Sequence, residues 1–339
     1  MENIEQLSTF YKHRGFTGRL SEGYLFLEKN FRNILCVGSL VLIPYAFVQA
    51  LSLVWVLDGV QNLLARMGTA PSMAANELDN LWGVSGSMLI AFLVYLVGMS
   101  FWKAFMFGMF RKHMELGYVP SMRLGAWCSW AGRDVWRYFL YTLFVLFFWV
   151  IVAALSYMLL TLTAWLMLLV VPAALYCQVV FALFPYFYMI ERESLWDAFL
   201  HAFRKVTPTW GATFAIVVLT GIIAYAFSVV CSIPVSATVI VDNLVAKEAL
   251  EGVRADLPVY YTGLKVIFWA LSIYASMFVG ILIGAPLLFH YASLVSQDKA
   301  AMLAAARAEQ ERLKAEHARM LAEKEKEAAR RDGSAYRPW

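Results

Sequence analysis

The sequence predicts an all-α polytopic membrane protein: six transmembrane helices built as three repeats, each an amphipathic elbow helix followed by a hydrophobic hairpin. Three observations carry that expectation. Of 339 residues, 61% are hydrophobic and 15% charged, whereas a soluble domain carries about 25% charged residues. Apolar runs long enough to cross a bilayer, about 20 residues each, recur along the chain. A short figure also repeats: Leu195, Phe199, Ala202 and Val206 share one helical face just ahead of such a run. Leu20, Tyr24, Leu27 and Phe31 have the same spacing, as do Leu124, Cys128, Ala131 and Val135. Lys29, Arg133 and Arg204 take the same place in the three copies.

Residues 1–18 read as a short N-terminal segment and 19–295 as the membrane domain, with repeats at about 19–112, 122–192 and 193–295. The opening stretch is charged and no small-residue cleavage site follows it, so the first apolar run, 33–57, is expected to be a retained span interrupted by Pro44. Polar residues with Gly and Ser predict a loop over 58–87, and the second span covers 88–110, closing at Arg111 and Lys112. Residues 139–190 are almost uninterruptedly apolar, which makes two spans. The turn between them is expected near 161–163, because Pro172 and Pro185 are spaced as kinks inside the fourth span. The fifth span is placed at 209–233, a second polar loop at 234–263 and the sixth span at 264–291.

Charge sets the expected orientation. Lys12, Arg14, Arg19, Lys29, Arg32, Arg111, Lys112, Arg123, Arg133, Arg137, Arg192, Arg204 and Lys205 flank one set of span ends, against Arg66, Lys247 and Arg254 on the other. Basic flanks favour the cytoplasmic side, so both termini are expected there, in an inner, plasma membrane. The elbows would then lie on the inner leaflet, with Lys29, Arg133, Arg204, Lys205, Trp127 and Trp130 as the candidate contacts to lipid headgroups.

From Ser296 onward the sequence turns to Ala, Glu, Lys and Arg without Pro until the last few residues. Acid-to-base pairs such as Glu309 with Arg312 and Glu323 with Lys326 support a long charged helix. Met302, Ala306, Leu313 and Met320 approach a seven-residue step, but Glu309, Glu316 and Glu323 fill the complementary places and remove a coiled-coil seam. The segment 296–339 is therefore expected to be a cytoplasmic helix that stands in solvent or engages a protein partner, its terminal 336–339 included.

Polar groups inside spans are functional candidates by default. Lys103 falls about 12 Å before Arg111 by helical rise, and Gln178 and His290 are the others; a cavity among the spans would draw on these three. No carboxylate sits near a span centre, which weighs against an ion-coupled carrier. Cys36, Cys128, Cys177 and Cys231 are far apart with no Cys-x-x-Cys pair, so neither a disulfide framework nor a zinc site is expected. The sequence contains no hydrolase elbow, zinc-protease motif, phosphate-binding loop or dinucleotide turn. No enzyme activity, cofactor, metal or nucleic acid is expected. The leading expectation is a non-enzymatic membrane scaffold or accessory subunit; the alternative is a transporter or lipid-handling protein with a cavity among proline-kinked spans.

Two passages, 19–32 (RLSEGYLFLEKNFR) and 193–205 (ESLWDAFLHAFRK), resemble the bacterial six-helix inner-membrane family that groups the membrane domain of glycerophosphodiester phosphodiesterases with YciC-like proteins. The likeness covers about 19–295 and implies the six-helix fold and a bacterial plasma membrane, with no catalytic residue. His13, Arg14 and Gly15 match the opening of the soluble phosphodiesterase motif, but no acidic framework follows and no soluble stretch is long enough for its barrel of roughly 250 residues.

Overall fold

In a membrane every backbone N–H and C=O must find its partner within the segment, which leaves helices as the outcome for runs this apolar. A computed structural model describes residues 2–69, 74–120, 124–163, 165, 167–250, 257–258 and 260–334. Among them there is no strand. The helices are α1 (Glu2–Phe10), α2 (Phe16–Thr69), α3 (Ala74–Leu116), α4 (Leu124–Leu162), α5 (Met167–Ile190), α6 (Leu195–Val206), α7 (Trp210–Leu250), α8 (Tyr260–Leu294) and α9 (Ser296–Ser334). Six of them, α2 to α5, α7 and α8, contain stretches long and apolar enough to cross a membrane. Of the turn expected at 161–163, Thr161 and Leu162 are still helical: α4 ends at Leu162 and α5 begins at Met167, so the break lies just C-terminal to the expected place.

Local chemistry explains the ends. The α6 N-cap is Ser194, whose hydroxyl accepts from the Asp197 N–H, and Arg204 and Lys205 occupy the last turn against the helix dipole. A 3-10 turn, Thr207–Thr209, carries Pro208 and leads directly into α7. At the end of α3, Gly117 takes φ +78° and donates its N–H to the His113 carbonyl, a left-handed cap that glycine accepts without strain.

Two expected loops are instead helical. Residues 58–69 continue α2, α3 begins at Ala74, α7 continues to Leu250 and α8 begins at Tyr260. Polarity there marks exposure rather than an end of helix: the stretches contain good helix formers such as Leu63, Leu64, Ala65, Ala246, Lys247 and Glu248. Pro44, Pro172, Pro185, Pro234 and Pro286 all lie inside continuous helices, so none of them breaks a span. The first and second amphipathic stretches run unbroken into α2 and α4, whereas the third is the separate helix α6. On α2 the buried face is Leu20, Gly23, Phe26 and Asn30, while Phe31 points out.

Around the bundle the order is α7, α8, α2, α3, α4, α5, and α5 closes back on α7. Helix α2 is the most enclosed, with 44% of its most apolar window buried, against none for α4. The α2–α8 contact is backbone to backbone: a Cβ at Gly23 would lie 2.6 Å from Pro286 Cα. Packing is uneven along the bundle axis. The half nearest α6 holds the core, with Trp102, Phe105, Phe107 and Phe110 of α3, Phe184, Tyr186 and Phe187 of α5 and Tyr291 of α8 fully buried. The opposite half of α3 and α8 is far less filled.

Candidate ligand cavity between α2, α3 and α8

In the less filled half, α2 holds α3 on one side and α8 on the other. Helices α3 and α8 meet near Trp102, whose indole N–H donates to the Met277 carbonyl at 3.1 Å, and again where Phe110 packs on Gly284. Beyond Trp102 a cavity of about 660 Å³ opens between them, inside the size range of small-molecule sites. Tyr45, Gln49, Leu53 and Val56 come from α2, Met88 to Lys103 from α3, and Trp269 to Gly280 from α8. From Gly280 to Trp269 the cavity follows α8 for about 16 Å. Met88, Phe92, Tyr95 and Ser276 on its rim are exposed, so the cavity is reached from the side of the bundle.

Its lining is mostly apolar, rich in aromatic and Met side chains, with a few polar groups among them. Lys103 Nζ sits 2.8 Å from where a Cβ on Gly280 would be, so glycine makes room for the ammonium. Lys103 has no ion-pair or hydrogen-bond partner among the described residues. Gln49 is 3% exposed and donates weakly to the Ala91 carbonyl at 3.4 Å; its Oε1 is buried without a partner. The Tyr45 hydroxyl and the Trp269 indole N–H are likewise buried and unpartnered. Tyr45 fits only because residue 98 is glycine: a Cβ there would fall 1.8 Å from the ring. A buried polar atom without a hydrogen bond costs about 1–3 kcal/mol. Three such atoms line the same apolar cavity as a cation that has no counter-ion among the described residues.

Elsewhere buried polar atoms without a hydrogen bond also occur, among them the Tyr24 hydroxyl, His113 Nδ1, Glu193 Oε2 and the Trp210 indole N–H, but the other buried cations have counter-ions. About 22 Å from Gly280 along α8, Lys265 binds Asp58 at 2.8 Å and Asp242 at 2.7 Å, and Tyr261 donates to Asp242 at 3.0 Å. This cluster ties the extensions of α2, α7 and α8 together, which is why the residues expected as loops stay helical. At the α6 end Arg14 binds Glu22 and the Phe10 carbonyl, which makes the His-Arg-Gly triplet a structural corner. Asp134, 3% exposed, faces Arg111 at 3.1 Å and Arg192 at 3.7 Å. Glu191, Glu193 and His201 could together grip a cation. Glu191, however, already accepts from Lys299 and Tyr291, and Glu193 pairs with His201 at 2.8 Å.

The three intramembrane candidates part company. Lys103 lines the cavity, Gln178 is exposed on the outside of α5, and His290 is fully buried at the α6 end. There Arg19 donates to His290 Nδ1 at 2.9 Å, and Nε2 faces Thr213 at 2.8 Å. Thr213 gives its own proton to the Thr209 carbonyl, so Nε2 is the donor to it and the ring is a neutral structural link. Of the expected headgroup contacts, Lys29, Arg133 and Arg204 are exposed, while Lys205 is tied to Asp298 at 2.6 Å. The side chains of Trp127 and Trp130, and residues 336–339, lie outside the described residues. Tyr45, Gln49 and Trp269 were not singled out in the sequence, where a Tyr, a Gln and a Trp in apolar runs carry no mark.

No protein-family profile, curated protein or solved structure matches this chain.

Proposed function

We propose that this chain is a non-enzymatic lipid-handling membrane protein that admits an amphiphile from the side into the cavity between α2, α3 and α8. One observation carries the reading: Lys103, a lysine on a span, lines an apolar cavity in the company of three unpartnered polar atoms. Charged groups within spans are costly and ordinarily mark a pathway or a ligand. The side entrance suits a ligand already dissolved in the bilayer. The setting belongs to the same proposal: a bacterial inner membrane, both termini cytoplasmic, three elbow-plus-hairpin repeats and membership of the six-helix family named above, with Lys29, Arg133 and Arg204 toward lipid headgroups.

A photo-cross-linkable diazirine lipid, reacted with the full chain in nanodiscs and mapped by peptide mass spectrometry, tests the proposal. Labels on Met88, Phe92, Tyr95, Met99 or Ser276 above the level on the lipid-facing residues of α4 support it. Uniform labelling of all spans refutes it.

The scaffold reading rests on α9. Its root is held by Lys205 to Asp298, Lys299 to Glu191 and Arg307 to Ser8, while Met302, Leu313, Met320 and Leu321 are at least half exposed. A helix fixed at its base and bare along its length suits a protein partner. A pull-down from native membranes with the full chain and a version ending at Gln297 decides it: a stoichiometric partner lost on truncation is the expected result, and no partner for either form contradicts it.

A further inference from the structure

The cavity's charge can be compared with what the same fold does for its other buried lysine. Lys265 is compensated by two carboxylates from the chain itself, Asp58 and Asp242, and Tyr261 donates in turn to Asp242. Among the described residues lining the cavity around Lys103, none is acidic. The other polar groups present are neutral: the Tyr45 and Tyr95 hydroxyls, the Gln49 amide, the Trp269 N–H, and Ser272 and Ser276. The fold therefore holds one positive charge, hydrogen-bond donors and an apolar chamber, and leaves out the anion.

We infer that the cavity takes a singly charged anionic amphiphile, with its oxyanion on Lys103 and the Tyr45 hydroxyl and its acyl chain along Leu53, Val56, Met88 and Phe92. This deepens the lateral-cavity proposal and rests on it. Charge balance fixes the head: one carboxylate or one phosphodiester neutralises one ammonium, whereas a doubly ionised phosphate monoester would bury a surplus charge. A zwitterionic head brings a quaternary ammonium, for which the lining offers no carboxylate. The tail follows from the lining of Leu, Val, Met and aromatic side chains, whose burial against an acyl chain is favourable. Because the mouth opens between α3 and α8, the source is the bilayer rather than the water phase. A second apolar pocket, about 180 Å³ between α4 and α5, has no charged residue in its lining and serves as the internal contrast.

The test uses the full chain in nanodiscs of phosphatidylcholine, with a cavity-cross-linking diazirine fatty acid as probe. Competitors are palmitate, phosphatidylglycerol, added phosphatidylcholine, dodecylmaltoside and acetate. Palmitate or phosphatidylglycerol is expected to displace the probe from the α3 and α8 peptides about tenfold or more better than the neutral and zwitterionic competitors, the factor a charge-assisted hydrogen bond supplies. Which of the two does so separates a carboxylate from a phosphodiester. Lys103→Met is expected to lower probe occupancy by a similar factor, and Lys103→Arg to retain it. Equal displacement by neutral and anionic amphiphiles overturns the headgroup inference while leaving the cavity in place. Displacement by acetate at palmitate's potency overturns the bilayer source. A probe that never labels the cleft overturns both the inference and the reading beneath it. The competition series needs only the natural sequence, so it decides the matter even if the Lys103 variants fold poorly.

Discussion

Lys265, on α8, and Lys103, on α3 facing α8, sit in the same bundle, yet their surroundings are opposite. At Lys265 the side chain is 4% exposed and its ammonium is answered from within the chain by buried Asp242 and by Asp58, which stays partly in solvent. Its job is finished when the protein folds. At Lys103 the surroundings offer space, aromatic walls and unpartnered dipoles but, among the described residues, no carboxylate. The contrast teaches that burial of a lysine is not itself a sign of function; the absence of its counter-ion, in a cavity large enough to hold one, is. The same contrast runs through the whole molecule. The α6 half is filled with aromatic rings and with paired groups such as His290 with Arg19 and Thr213 and Asp134 with Arg111, and the cavity begins where that filling stops.

Removing Lys265 should have the largest effect. Lys265→Met leaves Asp242 buried without its cation, and is expected to cost about 3 kcal/mol, at the lower end because Asp58 is partly exposed. Chemical unfolding in detergent measures it, and adding Asp242→Asn should recover part of the loss. If Lys265→Met is neutral, the closed-network view of that end is wrong. Next comes Gly23→Ala in the packed half, where the new Cβ meets the Pro286 backbone. Overpacking there should cost about 1–3 kcal/mol, again by unfolding. Lys103→Met should have the opposite sign. Without ligand it should gain on the order of 1 kcal/mol, a fraction of the roughly 2.5–3.5 kcal/mol that a central Lys costs on insertion scales, because the ammonium keeps some access to the cavity. The smallest effect is expected at Gly221 on α7, where an added Cβ meets nothing within 4 Å. Gly221→Ala should gain about 0.5–1 kcal/mol from helix propensity, and a loss there would place an unseen neighbour against α7.

Much of the architecture could be read from the residues. Apolar run length located all six membrane-length helices, and the paired prolines put the turn between α4 and α5 within a few residues of the break, which begins after Leu162. The helical extensions at 58–69 and 234–250 could not be read, because polarity in a span-flanking stretch looks the same in a loop and in an exposed helix. What distinguishes them, Lys265 gripping Asp58 and Asp242, joins residues far apart in the chain. Lys103 was legible as an isolated charge in a span. Its cavity was not, since the walls come from three helices and glycines 98 and 280 matter only for the space they leave. Gln178 and His290 show the converse: a polar residue in an apolar run gives no hint whether it faces outward or closes an internal hydrogen-bond chain.

The most direct measurement is the thermal stability of the full chain and of Lys103→Met in phosphatidylcholine nanodiscs, each with and without palmitate. A ligand that binds the folded state raises its melting temperature. The expected pattern is a crossover: Lys103→Met starts above the natural protein, palmitate raises the natural protein, and the variant does not move. Equal shifts in both proteins, or a variant that starts lower and still responds, would contradict the assignment of Lys103 as the waiting half of an ion pair.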